Sequence, residues 1–444
     1  MKTYLRVFAE NSAWLLAARL ANFSSTLLIF PLLARYLEPE GFGTFNYSLS
    51  VVGLFAVFGN MGLQGLVVRL LVADRTSHGQ ILFTGFILKL VGTIVGLLLL
   101  GASLYIGLIE SADAQLFIIV FAVTLLFVPF TQLTYYFEAE EKNHFVAIAD
   151  ISSTLLGAAM KMIFIVVQLP LHYLAIILVI ETGSNVFIRF TMFQRNFIRR
   201  DRMSSSVRYC NSQAKRMLKE SWPLVLAGFG AYAYLKIDQI MLHEMINSSE
   251  VGIYASAARI SESWYFVPAI FSTVVFPQIV KFSADDRAKY LAFWQQYVDI
   301  VTWFGIIVAI AVLFFGEVVI EIFFGVNFLA AATILKIHIW GGVFIIWGQI
   351  LSRWLISEGF TILSIYRQIG GGVVNIILNF WLIPMWGGTG AAIASIFSYF
   401  VASFLICFAS KKTRSLGVMM IVSLAAPVTY FKYFFVEKVV LRFR

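Results

Sequence analysis

Apolar and polar positions in this chain alternate on the scale of whole helices. Apolar runs of about 20 residues or more, enough to cross a bilayer core of roughly 30 Å at 1.5 Å per residue, are separated by short polar links. Hydropathy places about twelve such runs. In the first half they fall at roughly 13–36, 44–72, 80–108, 114–138, 144–168 and 170–194. In the second half they fall at roughly 217–244, 250–280, 291–315, 328–352, 359–384 and 389–410. Beta-barrel membrane proteins show short alternating segments instead, and these uninterrupted runs exclude one. The expected fold class is an all-α polytopic membrane protein with two six-helix lobes. No link is long enough for a sizeable extramembrane domain.

One stretch, 220–281, organises the second half. It reads as two apolar helices, 222–244 and 251–281, joined by the polar link 245–250, with Pro223, Pro268 and Pro277 as kink points. A shift of 209 positions lays an earlier stretch on it: Ser12 falls on Ser221, Leu15 on Leu224, Gly43 on Gly252 and Phe45 on Tyr254. An ungapped register between two helix–link–helix units indicates an internal repeat. The domain organisation expected is a first lobe at 1–194, a basic linker at 195–216, a second lobe at 217–412 and an apolar tail with a basic end at 413–444.

Orientation follows from Lys and Arg in the links. Even-numbered links carry Arg75, Lys142, Lys281, Arg287, Lys289 and Arg353, and the central linker carries Arg195, Arg199, Arg200, Arg202, Arg208, Lys215 and Arg216. Odd-numbered links are acidic or neutral, with Glu38, Glu40, Glu110, Asp113, Glu317 and Glu321. Both ends of the twelve-span body are therefore expected in the cytoplasm, and the lobes as parallel repeats about an axis along the membrane normal. The tail at 418–435, with Pro427, is shorter than the spans and ends in Lys432, Lys438, Arg442 and Arg444. A further crossing would place those cations outside, so an interfacial or re-entrant helix is expected there.

Composition agrees. The chain is 60% hydrophobic and 13% charged with mean hydropathy +0.85, against roughly 25% charge for soluble domains. Topology and anionic headgroups account for the net charge of +9, and no nucleic-acid partner is expected. Two cysteines, Cys210 and Cys407, support neither a disulfide framework nor a metal site. The first 36 residues run too long for a cleaved signal and read as the first span. With no Walker sequence, HExxH or Cys/His cluster, an enzyme is not expected.

Ionisable residues inside spans are costly and mark a watery path or a binding site by default. The cations are Arg19, Lys89, Lys161, Lys236, Arg259, Lys336 and Arg367, all candidates for binding substrate in a cationic lumen. Arg19, Lys89 and Arg367 fall in the cytoplasmic half of the bilayer and the others in the outer half. That spread suits a ligand whose negative charge travels across. Each cation also has a plainer reading: Arg19 and Arg367 could snorkel to headgroups, and Arg259 and Glu262 could neutralise one another on one helix face. Asp150, Glu181, Asp238 and Asp299 are the ion-coupling candidates. Gln368, Asn375 and Asn379 form one polar stripe, either to contact sugar hydroxyls or to hold helices together. The aromatics are lipid-facing or interfacial by default, and Trp264, Tyr265, Trp340 and Trp347 could alternatively offer stacking faces for sugars.

The stretch Leu33-Ala-Arg-Tyr-Leu-Glu-Pro-Glu-Gly-Phe-Gly-Thr-Phe45, followed by Gly62-Leu-Gln-Gly, resembles the opening of Wzx-type polysaccharide flippases. Ile237-Asp-Gln-Ile-Met-Leu, Val251-Gly-Ile-Tyr-Ala-Ser-Ala-Ala-Arg259 and Val275-Phe-Pro-Gln278 resemble the start of their second half. These belong to the multidrug/oligosaccharidyl-lipid/polysaccharide exporter superfamily, and the resemblance runs to about Lys412. It implies two six-helix lobes around a cationic cavity in the bacterial cytoplasmic membrane. The substrate implied is an undecaprenyl-diphosphate-linked oligosaccharide, moved to the periplasmic leaflet by alternating access for O-antigen or related surface polysaccharide. It also implies coupling to H⁺ or Na⁺ with no other cofactor. Partners are membrane lipids and, in the same biosynthesis, a polysaccharide polymerase and chain-length regulator. Related lipid II flippases carry cavity arginines on the first and eighth helices, which Arg19 and Arg259 match here. The alternatives are a drug/cation antiporter of the same fold, whose pocket would need to be acidic, and a membrane polymerase or glycosyltransferase, which would need a large outer loop.

Overall fold

The computed structural model describes residues 2–109, 111–198, 207–268, 287–360 and 362–427. Among these, regular structure is helical throughout. Helix α1 (Lys2–Asn60) is one continuous run whose register breaks at Glu38, in a left-handed conformation (φ 56°) just before Pro39. Proline disfavours helical geometry in the residue before it, so the acidic link expected here is a kink. Helices α2 (Gln64–Ala73) and α3 (His78–Tyr105) follow. Helix α4 (Ala112–Phe121) then tightens into a 3-10 stretch (Ala122–Thr131) containing Pro129 before α5 (Gln132–Ala139). Next come α6 (Asn143–Val167), α7 (Leu171–Ile198), α8 (Asn211–Met245) and α9 (Ser248–Glu262). The second half continues with α10 (Arg287–Phe324), α11 (Ala331–His338) and α12 (Gly341–Ser357). It ends with α13 (Ile362–Ser403) and α14 (Lys411–Leu424). Helix α13 turns at Gly387 (φ 53°), where the sequence places the link between two spans.

Eight helical stretches among the described residues are long and apolar enough to cross a membrane. Two of these, Leu16–Ala73 and Ile362–Ala409, run 58 and 48 residues, enough for two passes each at roughly 20 residues per pass. On three of the helices buried polar groups and glycines stand beside exposed aliphatic groups. On α3, Lys89, Gly92, Thr93 and Gly96 are buried while Val91, Ile94, Val95 and Leu98 are exposed. On α6, Ser153, Thr154, Gly157 and Lys161 are buried while Leu155, Leu156, Ile163 and Val166 are exposed. On α13, Asn375 and Asn379 are buried beside exposed Ile376, Ile377, Phe380 and Trp381. Polar groups inside and aliphatic groups outside is the arrangement lipid solvent imposes. The chain is a multi-pass, all-α membrane protein.

The chain divides into two compact units: Met1–Tyr232 with Leu242–Ala255, and Ala233–Met241 with Ser256–Arg444. The boundaries between the units fall within α8 and α9. In the first unit, Gly43 of α1 and Gly252 of α9 meet backbone to backbone. A Cβ on Gly43 would run into the Ser248 carbonyl and lie 2.9 Å from Gly252 N, and one on Gly252 would run into the Pro39 carbonyl and lie 3.0 Å from Gly43 N. These are the two glycines that the repeat shift superposes. Thr44 Oγ1 donates to Ser248 Oγ at 3.2 Å, and Tyr47 stacks on His243 (3.7 Å between ring centres) while its hydroxyl donates to Glu244.

In the second unit the core centres on Trp294 and Trp354, 5.3 Å apart between rings, with Tyr290, Trp347 and Leu351. Leu416, Met419 and Met420 of α14 close this core, and Trp354 Nε1 donates to the Lys412 carbonyl at 2.9 Å. The first part of the expected tail is thus packed helix; residues 428–444, and the motif at 275–278, lie outside the described residues.

Candidate functional site

The first unit holds a polar cavity of about 410 Å³ lined by α1, α6 and α7 and by Phe121 at the end of α4. Helix α6 presents Asp150, Ser153, Thr154 and Lys161 to it, and α7 presents Glu181, Thr182, Asn185 and Arg189. Both sets recur at three- and four-residue spacings, so each forms one face of its helix. Lys161 Nζ donates to Glu181 at 2.6 Å, and Gly157 one turn earlier leaves room for that carboxylate, which a Cβ there would displace. Arg189 pairs with Asp150 and donates to Thr134 Oγ1 at 2.6 Å. Asn185 Nδ2 bridges Asp150 and Ser153, 2.9 Å from each, and Thr154 Oγ1 donates to Asn22 at 2.7 Å. Asp150 and Lys161 share a helix face, as their spacing requires, but each pairs with a residue of α7. Arg189 carries a signal that its place near a span end conceals: it lies one helical turn from Asn185 and two from Glu181.

The second unit contains a chain of oxygen-bearing groups. Asp238 of α8 accepts from Ser395 Oγ at 3.4 Å, Ser395 accepts from Asn375 Nδ2 at 3.4 Å, and Asn379 donates to Asn375 Oδ1 at 2.9 Å. Asn375, Asn379 and Ser395 are fully buried, and Asn379 Oδ1 has no hydrogen-bond partner. One carboxylate, two amides and a hydroxyl are thus linked in a single run of hydrogen bonds. Ser395 gave no sequence signal, because it reaches Asn375 only through the turn at Gly387. Nearby, Lys236 pairs with Glu262 at 3.2 Å, and Glu262 also attracts Arg259. His338 Nδ1 is 2.9 Å from Ser261 Oγ.

The remaining candidates are dispersed. Lys89 is fully buried, donating to Thr131 Oγ1 (2.5 Å) and Tyr135 OH (2.8 Å), with the Tyr135 ring beneath it. Lys336 lies 3.8 Å from Glu317, and Arg19 is exposed. Gln368 Nε2 donates to Ser364 at 3.4 Å. Asp299 accepts from Gln295 at 2.7 Å beside a separate cavity of about 430 Å³. Arg367 is buried and donates to Ser352 Oγ at 2.7 Å. Trp347 is buried, with Nε1 donating to Thr302 at 2.9 Å. No group of three or more His, Cys, Asp or Glu among the described residues is placed to hold a metal ion.

The chain is similar to a Shigella flexneri protein named for O-antigen transport, 22% identical over 401 residues, covering 87% of this chain and 93% of that one. It is also similar to a Haloferax volcanii protein named as a low-salt glycan biosynthesis flippase, 24% identical over 428 residues, covering 91% of this chain and 84% of the relative. Among solved structures, the lipid II flippase MurJ in an inward closed conformation superposes with a TM-score of 0.70 at 14% identity, over 97% of this chain and 96% of that one. That likeness establishes the fold. The polysaccharide biosynthesis protein family matches residues 8–283. This multi-pass helical membrane chain therefore belongs to the polysaccharide biosynthesis protein family.

Proposed function

We propose that the protein is a flippase that carries a polyprenyl-diphosphate-linked oligosaccharide from the cytoplasmic to the periplasmic leaflet of a bacterial cytoplasmic membrane. The observation that carries this reading is a membrane body with charged and amide groups turned inward and aliphatic groups turned outward, in a chain of the polysaccharide biosynthesis family. Relatives named for O-antigen transport and glycan flipping support the substrate class.

In the proposed cycle the cations Arg19, Lys89, Lys161, Lys236, Arg259, Lys336 and Arg367 supply positive potential along the route of the diphosphate. Those paired at rest, Lys161 with Glu181 and Lys236 with Glu262, exchange a carboxylate for the substrate's oxyanion. Gln368, with Asn375 and Asn379, provides amides for sugar hydroxyls in conformations that release them. H⁺ or Na⁺ resets the protein at Asp238, Asp150, Glu181 or Asp299, of which Asp238 has the most complete oxygen set. Alternating access requires the Gly43–Gly252 crossing to part and re-form. The N-terminus lies in the cytoplasm, and a polymerase and chain-length regulator act on the delivered product.

Export in a strain lacking its own flippase tests the reading. The protein should restore surface polysaccharide when co-expressed with its matching sugar pathway. Correctly inserted protein that leaves the lipid-linked intermediate on the cytoplasmic leaflet would refute it.

A further inference from the structure

Within the second unit lies a smaller cavity, of about 270 Å³, whose walls include Tyr234, Tyr265, Gln349, Ser352, Arg367 and Tyr399. Its chemistry is unbalanced. Arg367, on the second turn of α13, is buried, and its Nη2 donates to Ser352 Oγ at 2.7 Å, while Nε has no partner among the described residues. None of the described residues lining the cavity is Asp or Glu. The nearby carboxylate Glu262 is held by Lys236 at 3.2 Å. Two more buried polar atoms of the lining residues have no hydrogen-bond partner: the Tyr265 hydroxyl and Gln349 Oε1, whose amide nitrogen donates to the Tyr265 carbonyl at 3.1 Å. The guanidinium also has room made for it. Gly348 stands against it, and a Cβ there would lie 3.2 Å from Arg367 Nη1 and 2.7 Å from Ser403 Oγ.

A buried cation without a counter-charge is costly in protein or lipid, and a guanidinium presents a planar fork of donors that fits two oxygens of one anion. The Tyr265 hydroxyl adds a further donor, while Gln349 Oε1 can only accept and so calls for a hydroxyl on the ligand. The set is therefore matched to an oxyanion with a hydroxyl close by. We propose that this cavity is a recognition site for a phosphoryl ester adjacent to a free hydroxyl, with Arg367 and Tyr265 holding the phosphoryl oxygens and Gln349 accepting from the hydroxyl. This deepens the flippase reading and rests on it for its biological ligand, the sugar-phosphoryl end of the lipid-linked substrate. A glycerol-bearing phospholipid headgroup shares the same chemistry.

The test uses the full chain in phosphatidylcholine nanodiscs and follows thermal unfolding with added glucose 1-phosphate, methyl phosphate or inorganic phosphate, or with phosphatidylglycerol in the disc. Glucose 1-phosphate should raise the wild-type Tm more than methyl phosphate, because only the former carries hydroxyls. Arg367→Met should lose every phosphoryl-dependent shift yet unfold no lower than wild type without ligand, since it removes an uncompensated charge. Gln349→Leu should keep the shift but equalise the two esters, which separates a binding role from a structural one. Protection by phosphatidylglycerol as well upholds the site and assigns it to lipid when glucose 1-phosphate does not compete. Equal shifts in wild type and Arg367→Met, or none in either, overturn the site. If wild type binds glucose 1-phosphate but fails to restore export, the flippase reading falls and the site stands. If it exports without binding, the reverse holds.

Discussion

At the scale of single residues, the intramembrane charges sort by the partner each one finds. Lys161 and Glu181 lie on neighbouring helices, and the pair is nearly closed to solvent on the Lys161 side. Removing one partner leaves an uncompensated charge, while removing both does not. Lys161→Gln should therefore destabilise the folded protein by roughly 3 kcal/mol, the lower edge for buried pairs, and Lys161→Gln with Glu181→Gln should recover most of that loss in a thermal unfolding assay. Equal loss in the single and double variants would show that the pair contributes nothing as a pair. The positions of these charges were legible in the sequence, since any ionisable residue in an apolar run stands out. Their partners were not. A helical spacing shows which residues share a face, but Glu181, Arg189 and Ser395 meet their partners through helix packing. Asn375 and Asn379 show both sides of this: their common face was readable, but the direction of that face toward Asp238 was not.

At the scale of elements, α1 and α9 cross where two glycines allow backbones to touch. The repeat register set Gly43 on Gly252, yet only the fold brings the pair into contact. Thr44 and Ser248 flank the crossing with hydroxyls 3.2 Å apart, a position where paired cysteines can bridge. In a background with Cys210→Ser and Cys407→Ser, the double variant Thr44→Cys, Ser248→Cys should cross-link on oxidation, lose export, and regain it on reduction. Export that persists with the cross-link complete would show that the crossing need not open. Gly43→Val should shift the equilibrium away from the packed crossing by at least about tenfold, taking a cost of roughly 1.4 kcal/mol from the 1–3 kcal/mol typical of overpacking. The α14 segment shows the limit of hydropathy: Lys411, Lys412 and Arg414 read as an end of the body, while Leu416, Met419 and Met420 pack into the Trp294–Trp354 core. A cation-rich first turn masks an apolar face that a folded core then uses.

At the scale of the whole molecule, the all-α, multi-pass fold class was legible because lipid imposes length and apolarity on every crossing. The places where helices kink rather than stop, Glu38 and Gly387, were visible only as links. Orientation is testable with the natural cysteines. Cys210 precedes α8 in the basic linker, and the Ser212 hydroxyl 3.1 Å away draws its thiol below the ordinary range; Cys407 is buried. A membrane-impermeant maleimide should label Cys210 in inverted vesicles and not in intact cells with the outer membrane opened. Because the thiolate is the reactive form, labelling should persist to lower pH than for an ordinary thiol. Labelling from the opposite side would reverse the topology. The central claim is movement of the lipid-linked glycan, and the most direct measurement is its leaflet distribution in proteoliposomes. With the purified protein, a polyprenyl-diphosphate-linked oligosaccharide placed on one leaflet should become accessible to an impermeant glycan-modifying probe on the other, faster than in protein-free vesicles. The rate should fall at least about tenfold, equivalent to 1.4 kcal/mol, when the Thr44–Ser248 cysteine pair is bridged. Exposure at the protein-free rate, with correctly folded protein and the matching glycan, would contradict the account.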